Sequence, residues 1–209
     1  MTSNKFLRKA WRAVRQDSLE LHKYPAVQTE FSAPDLSPLN LVLGAANGPS
    51  SMTGHVLLMY NLAWQMNAQL VVEIGLGPGD STSVFLLAMR ATKGKLISID
   101  IQPQPVAEQK VDRLGLRDHW EFICKPSQVV AREWPRDRKI DILLVDGLHT
   151  YNQIKLEYRL FKPLMKDGGY MLFHDSETIR GVRKFVHRVG WRHRGVQFPF
   201  SNGLYVLRM

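Results

Sequence analysis

The sequence predicts an α/β fold in which a doubly wound, mostly parallel sheet carries helices on both faces and closes with a C-terminal antiparallel hairpin. Short runs rich in Val, Ile and Leu alternate with segments of helical period from Val71 to Val189, the pattern of successive strand and helix units. Polar and acidic residues cluster where those runs end, and an Asn202-Gly203 turn divides the last two apolar stretches. With 209 residues and 44% hydrophobic content the chain can bury one substantial core. We therefore expect a main domain over 51–209 preceded by an extension over 1–50.

In that extension, Phe6, Leu7, Ala10, Trp11 and Val14 fall on one helical face of Lys5 to Arg15 while basic residues occupy the other, predicting an amphipathic helix. Docking on the domain is the preferred reading. The same segment could also cover the substrate mouth or lie on an acidic membrane, and its acid-free, Arg-rich character resembles a transit peptide. Ala33 to Pro49, with three prolines and two glycines, reads as an irregular linker or lid. Gly54 to Met66 follows as a helix with Val56, Leu57, Tyr60, Leu62 and Ala63 apolar.

Val71 to Ile74 is the first strand, and it runs into Gly75, Gly77 and Gly79. Asp80, Ser81 or Thr82 is expected to cap the next helix, whose apolar positions include Val84, Leu87 and Ala88. Lys95 to Asp100 is the second strand, Glu121 to Cys124 the third, Ser127 to Glu133 a helix, and Ile140 to Val145 a buried fourth strand. Asn152 to Leu164 is expected as a helix ending at Gly168-Gly169, with Tyr170 to Phe173 as the fifth strand. After a helix over Arg180 to Val189, Trp191 to Phe198 and Gly203 to Leu207 form the hairpin, which brings the sheet to seven strands.

The glycine turn carries the chemistry. Lacking a Cβ, Gly75, Gly77 and Gly79 can adopt backbone angles closed to other residues and let a ligand lie against the main chain. Asp100 ends the second strand about twenty residues further on, the separation expected of a carboxylate that grips ribose hydroxyls. The turn departs from the dinucleotide fingerprint, because Asp80 stands where that motif places a third glycine. No lysine followed by Ser or Thr comes after the glycines, so a nucleoside triphosphate loop is disfavoured as well. A nucleoside-bearing cofactor without a phosphate chain fits these features.

Glu73-Ile74-Gly75-Leu76-Gly77-Pro78-Gly79 and Ser98-Ile99-Asp100 resemble the first and second motifs of the class I S-adenosylmethionine-dependent methyltransferases, and the resemblance extends from about Leu70 to the C-terminus. Val145-Asp146-Gly147-Leu148-His149-Thr150-Tyr151 and Phe173-His174-Asp175 are similar to the branch that includes macrolide-sugar O-methyltransferases and relatives of catechol O-methyltransferase. The resemblance implies a Rossmann-like fold with S-adenosyl-L-methionine as cofactor. It also implies that Glu73 and the glycine turn hold the methionine and ribose portions, Asp100 the ribose diol and Ser127 the adenine edge, with Ser81, Thr82 and Asp146 also among the cofactor-binding residues. At the third strand the usual small acidic turn reads Lys125-Pro126-Ser127.

Asp146 and Asp175 end neighbouring strands of the expected topology and could converge on one divalent ion, with Mg²⁺ suited to hard carboxylate oxygens. His174 stands where related enzymes often carry another carboxylate; imidazole suits Mg²⁺ poorly, so either a softer metal binds or only the two aspartates do. The alternative is that the aspartates merely cap the segments that follow. His149, three residues past Asp146, is the candidate general base, with Asp146 as its catalytic partner. The implied activity is metal-assisted O-methylation of a small hydroxylated molecule.

Composition bounds the alternatives. The formal net charge of +9 invites a nucleic-acid reading, but Lys5, Arg8, Lys9, Arg12 and Arg15 supply much of it before the first acid at Asp17. A second cluster at Arg180, Arg183, Lys184, Arg188, Arg192 and Arg194, interleaved with Phe185 and Trp191, reads first as a solvated basic face with its aromatics in the core. An RNA methyltransferase is thus the second reading, and a cofactor-binding or membrane-associated module without catalysis is the third. No run of eighteen apolar residues and no secretory signal is present, so no transmembrane segment is expected and a cytoplasmic location is. Cys124, the only cysteine, cannot form an intrachain disulfide and reads as an ordinary buried thiol. Oligomeric state stays open.

Overall fold

The computed structural model describes residues 52–190 and 195–209. The expected helix at Lys5 to Arg15, the linker at Ala33 to Pro49, the 1–50 extension and residues 191–194 of the hairpin lie outside the described residues. Among those described, seven strands form one sheet: β1 Leu70–Ile74, β2 Lys95–Asp100, β3 Trp120–Cys124, β4 Ile140–Val145, β5 Met165–His174, β6 Gly195–Phe198 and β7 Leu204–Arg208. Their order is β3-β2-β1-β4-β5-β7-β6. The first five strands are parallel, whereas β7 runs antiparallel to both β5 and β6. This is the expected architecture, closing hairpin included.

Among the described residues six α-helices accompany the strands, the first preceding β1 and the others following successive strands: α1 Val56–Gln65, α2 Asp80–Thr92, α3 Pro105–Leu114, α4 Ser127–Glu133, α5 Tyr151–Phe161 and α6 Arg180–Gly190. Side chains alternate across a strand, so each strand feeds two cores. Val71, Leu96, Ile142, Leu144 and Leu172 pack beneath α1, α2 and α3, together with Met59, Phe85 and Val111. Val72, Ile97, Leu143, Met171 and Phe173 point the other way, onto Ile154, Phe161 and Phe185 of α5 and α6. β1 and β4, at the centre of the sheet, are buried on both faces along their whole length, which is why those segments read as nearly continuous apolar runs, whereas edge strand β3 is only partly buried.

Four local expectations need correction. No side chain caps α2: Gly79 occupies the N-cap with φ +85°, and Asp80, Ser81 and Thr82 lie inside the first turn. Gly168-Gly169 is not a helix stop. The helix after β4 ends at Phe161, a single 3₁₀ turn follows over Lys162–Leu164, and both glycines lie within β5. There the register to β4 shifts between Ile140 and Ile142, and a Cβ on Gly169 would stand 2.8 Å from the Asp141 carbonyl oxygen. The helix Pro105–Leu114 was not expected from the sequence. Cys124, finally, is exposed rather than buried.

Candidate active site

The carboxyl ends of β1, β2, β4 and β5 open onto one cavity of about 860 Å³. The glycine turn forms part of its wall, and its three glycines do different jobs. Gly75 (φ +79°) lies so close to β4's exit that a Cβ would collide with the Asp146 carbonyl, and a Cβ on Gly79 would stand 2.8 Å from that of Ala107. Gly77 (φ +46°) has nothing within 4 Å of its Cβ position. Two glycines therefore serve chain-to-chain packing, and Gly77 leaves bare backbone beside the cavity.

Glu73 does not face that cavity. It points from β1 toward α2 and is fully buried. Its Oε1 accepts hydrogen bonds from Thr82 Oγ1 at 2.6 Å and Ser98 Oγ at 2.5 Å, and its Oε2 from Ser81 Oγ at 2.8 Å. Trp120 Nε1 donates in turn to Ser98 Oγ. Ser81 and Thr82 are thus engaged by Glu73, although Ser81 also borders the cavity. Burial pushes the Glu73 carboxyl up to about 7 against the pull of those three donors.

Asp100 closes the rim opposite the turn. β1 and β2 are neighbours, with the Gly75 N–H donating to the Ile99 carbonyl at 2.8 Å, so the carboxylate sits directly beside the glycines. The Leu76 N–H donates to its Oδ2 at 3.4 Å and the Gln102 N–H to its Oδ1 at 3.1 Å. Ser127, at the start of α4, borders the same cavity but donates its hydroxyl to Glu157 Oε1 at 2.7 Å.

At the other end, β4 and β5 deliver Asp146 and His174-Asp175, and the loop into α5 delivers His149. His149 Nε2 lies 3.2 Å from Asp146 Oδ1 and 3.1 Å from Asp175 Oδ2, bridging the two carboxylates. His174 approaches from the buried side: its Nδ1 stands 3.1 Å from Asp146 Oδ1 and 3.4 Å from Asp175 Oδ1. Burial would raise Asp146, yet hydrogen bonds from His149 and His174 outweigh it and hold the carboxyl below its usual range. The same Asp146 bond raises His149 above the usual imidazole value, against partial burial and with help from the charges of Asp146 and Asp175.

Among the described residues, Asp146, His149 and Asp175 can present ligand atoms to one ion, these atoms lying within 4.8 Å of one another. His174, also expected as a ligand, faces the same two carboxylates from the buried side but is not in that group. Asp175 is held at φ +58°, and its buried Oδ1 has no hydrogen-bond partner among the described residues. Two carboxylates and one imidazole with a spare buried oxygen fit a divalent ion.

Residues 72–176 match the family described as a methyltransferase domain. The chain belongs to that family. Its enzyme class is that of the methyltransferases, as expected, and its fold is that of solved S-adenosylmethionine-dependent methyltransferases. Solved structures of similar fold include the S-adenosylhomocysteine-bound methyltransferase PaMTH1 of Podospora anserina (TM-score 0.67, 15% identity, 94% of this chain and 95% of that one). The O-methyltransferase TomG of Streptomyces achromogenes, in complex with S-adenosylmethionine, aligns with a TM-score of 0.64 at 16% identity over 92% and 96% of the two chains. An O-methyltransferase of Bacillus cereus in complex with S-adenosylhomocysteine aligns with a TM-score of 0.62 at 16% identity over 86% and 94%. A protein of Sinorhizobium fredii, y4gI, is 30% identical over 74 residues, which is 34% of this chain and 8% of that much longer protein.

The methyltransferase cavity also holds residues that the sequence did not single out. Ile101 and Leu148 border it while 69% and 65% exposed, an unusual state for large aliphatic side chains. Gln128, Gln153 and Glu157 complete the wall near Ser127. A signal for the first two existed, since each directly follows a strand-end motif; α5 gave none for Glu157. Along α6, Arg180, Arg183, Lys184 and Arg188 are exposed and Phe185 is buried, as a solvated basic face requires. No helix among the described residues is long and apolar enough to cross a membrane.

Proposed function

We propose that this methyltransferase transfers the methyl group of S-adenosylmethionine to a hydroxyl of a small cytoplasmic acceptor. The observation that carries this reading is one cavity bordered by the glycine turn and Asp100 at one end and by an imidazole between two carboxylates at the other. Gly77 and Asp100 would receive the methionine and ribose portions, and Ile101 and Leu148 would flank the flat base. That order points the sulfonium toward Asp146 and His149.

The sulfonium brings its own activation, so the protein has to align the reacting atoms and remove a proton. His149, whose Nε2–H faces the two carboxylates, would accept the hydroxyl proton at Nδ1 as the acceptor oxygen bonds to the methyl carbon and the carbon–sulfur bond breaks, leaving the methyl ether and S-adenosylhomocysteine. Asp146 and Asp175 orient that imidazole and stabilise its protonated form. A divalent ion held by Asp146 and Asp175 would lower the pKa of the acceptor hydroxyl. His174, donating to Asp146, positions that carboxylate.

Incubation with S-adenosylmethionine and a panel of catechols, phenols and hydroxylated sugars, with Mg²⁺ or with EDTA, tests the reading. Formation of S-adenosylhomocysteine together with a methyl ether is expected. Cofactor binding with no turnover on any hydroxylated compound, but with methylation of RNA, would instead support the second reading of the sequence.

A further inference from the structure

The turn after β3, Lys125-Pro126-Ser127, contains no carboxylate, yet the structure brings one to it from another element. Glu157, on α5, is 1% exposed and borders the cavity beside Ser127, Gln128 and Gln153. Its Oε1 accepts from Ser127 Oγ at 2.7 Å and from Gln153 Nε2 at 2.9 Å. Its Oε2 is buried and has no hydrogen-bond partner among the described residues. A Cβ on Gly147 would stand 4.0 Å from Oε1, so the carboxyl group lies against the chain that leaves β4.

We propose that Glu157 accepts a hydrogen bond from the exocyclic amine of the cofactor's adenine, making α5 the source of the acidic group that the β3 turn lacks. An ionised carboxylate only accepts, and a buried acceptor without a donor carries a desolvation penalty that an incoming N–H relieves. Adenine offers that N–H at its six position. Hypoxanthine offers a carbonyl oxygen there, whose lone pairs would face the carboxylate, so the site discriminates an amine from a carbonyl. Burial raises the Glu157 carboxyl above its usual range, in keeping with an acceptor that has not found its full set of donors. Ser127 and Gln153 fix the carboxyl plane through Oε1 and leave Oε2 for the ligand.

This proposal rests on the S-adenosylmethionine reading of the cavity, and the test separates the two. Calorimetric titration of the full chain with S-adenosylhomocysteine and with S-inosylhomocysteine should show the adenosyl compound binding at least about tenfold more tightly, the effect of one hydrogen bond to a charged group. In Glu157→Gln the side chain can turn either N–H or C=O to the purine, and the ratio should fall to within about threefold. A merely structural Glu157 would weaken both compounds alike and leave the ratio intact, which would overturn the proposal. A wild-type ratio near one overturns it without any variant, so the test survives a variant that fails to fold. Absence of S-adenosylhomocysteine binding to the wild type would remove the cofactor reading and this proposal with it.

Discussion

Glu73 is the residue whose environment departs furthest from what its motif suggested. Folding moves its carboxyl from the usual 4.5 to about 7, so the folded state holds a proton that the unfolded chain releases between those values. The associated stability is fully present below about pH 4.5 and is lost as pH rises through 7, an effect of about 3 kcal/mol. Chemical denaturation at pH 5 and pH 8 should show that fall, and Glu73→Gln should flatten it. In the proposed reaction His149 is the general base. His149→Gln should lower kcat by about 10²-fold to 10⁴-fold, the range of general-base loss, while S-adenosylhomocysteine affinity stays near wild type. At this scale the sequence showed which polar residues end strands, and it placed Asp100, Asp146, His149 and Asp175 in one region. It could not show that Glu73 turns inward, because a strand residue's face depends on which helix covers it.

Among the elements, the β1 to α2 turn links fold to function through glycines with separable tasks. Gly75→Ala puts a methyl group against the Asp146 carbonyl at a positive φ, so unfolding measurements should show a loss of more than about 1 kcal/mol. Gly77→Ala meets no neighbour but is strained at φ +46°, so it should cost about 1 kcal/mol through the backbone alone and, beyond that, weaken cofactor affinity, read by titration. Gly168-Gly169 resembled a helix stop, but Gly169 is small because β4 approaches it closely. Pro105–Leu114 was missed because its buried side chains are few, namely Ala107 and Val111, and its remaining positions are mostly polar. Central strands were legible because burial on both faces leaves an apolar run that little else produces.

For the molecule as a whole, the strand order sets everything else: β1 lies between β2 and β4, so the glycine turn meets Asp100 on one side and Asp146 on the other. Glu157 and Ser127 come together only through the packing of α4 beside α5, a long-range contact that no local pattern encodes. The same convergence makes metal dependence testable. If Asp146 and Asp175 hold a divalent ion, EDTA should abolish turnover, Mg²⁺ or Mn²⁺ should restore it, and Asp175→Asn should weaken the response to added metal. The central claim, that backbone at residues 75–79 and the carboxylate of Asp100 clasp an adenosyl group, is tested most directly by calorimetry with S-adenosylhomocysteine on the wild type and on Asp100→Ala. The account predicts one site per chain, weakened at least about tenfold by the substitution. Equal affinity in both proteins, or no binding to either, would contradict it.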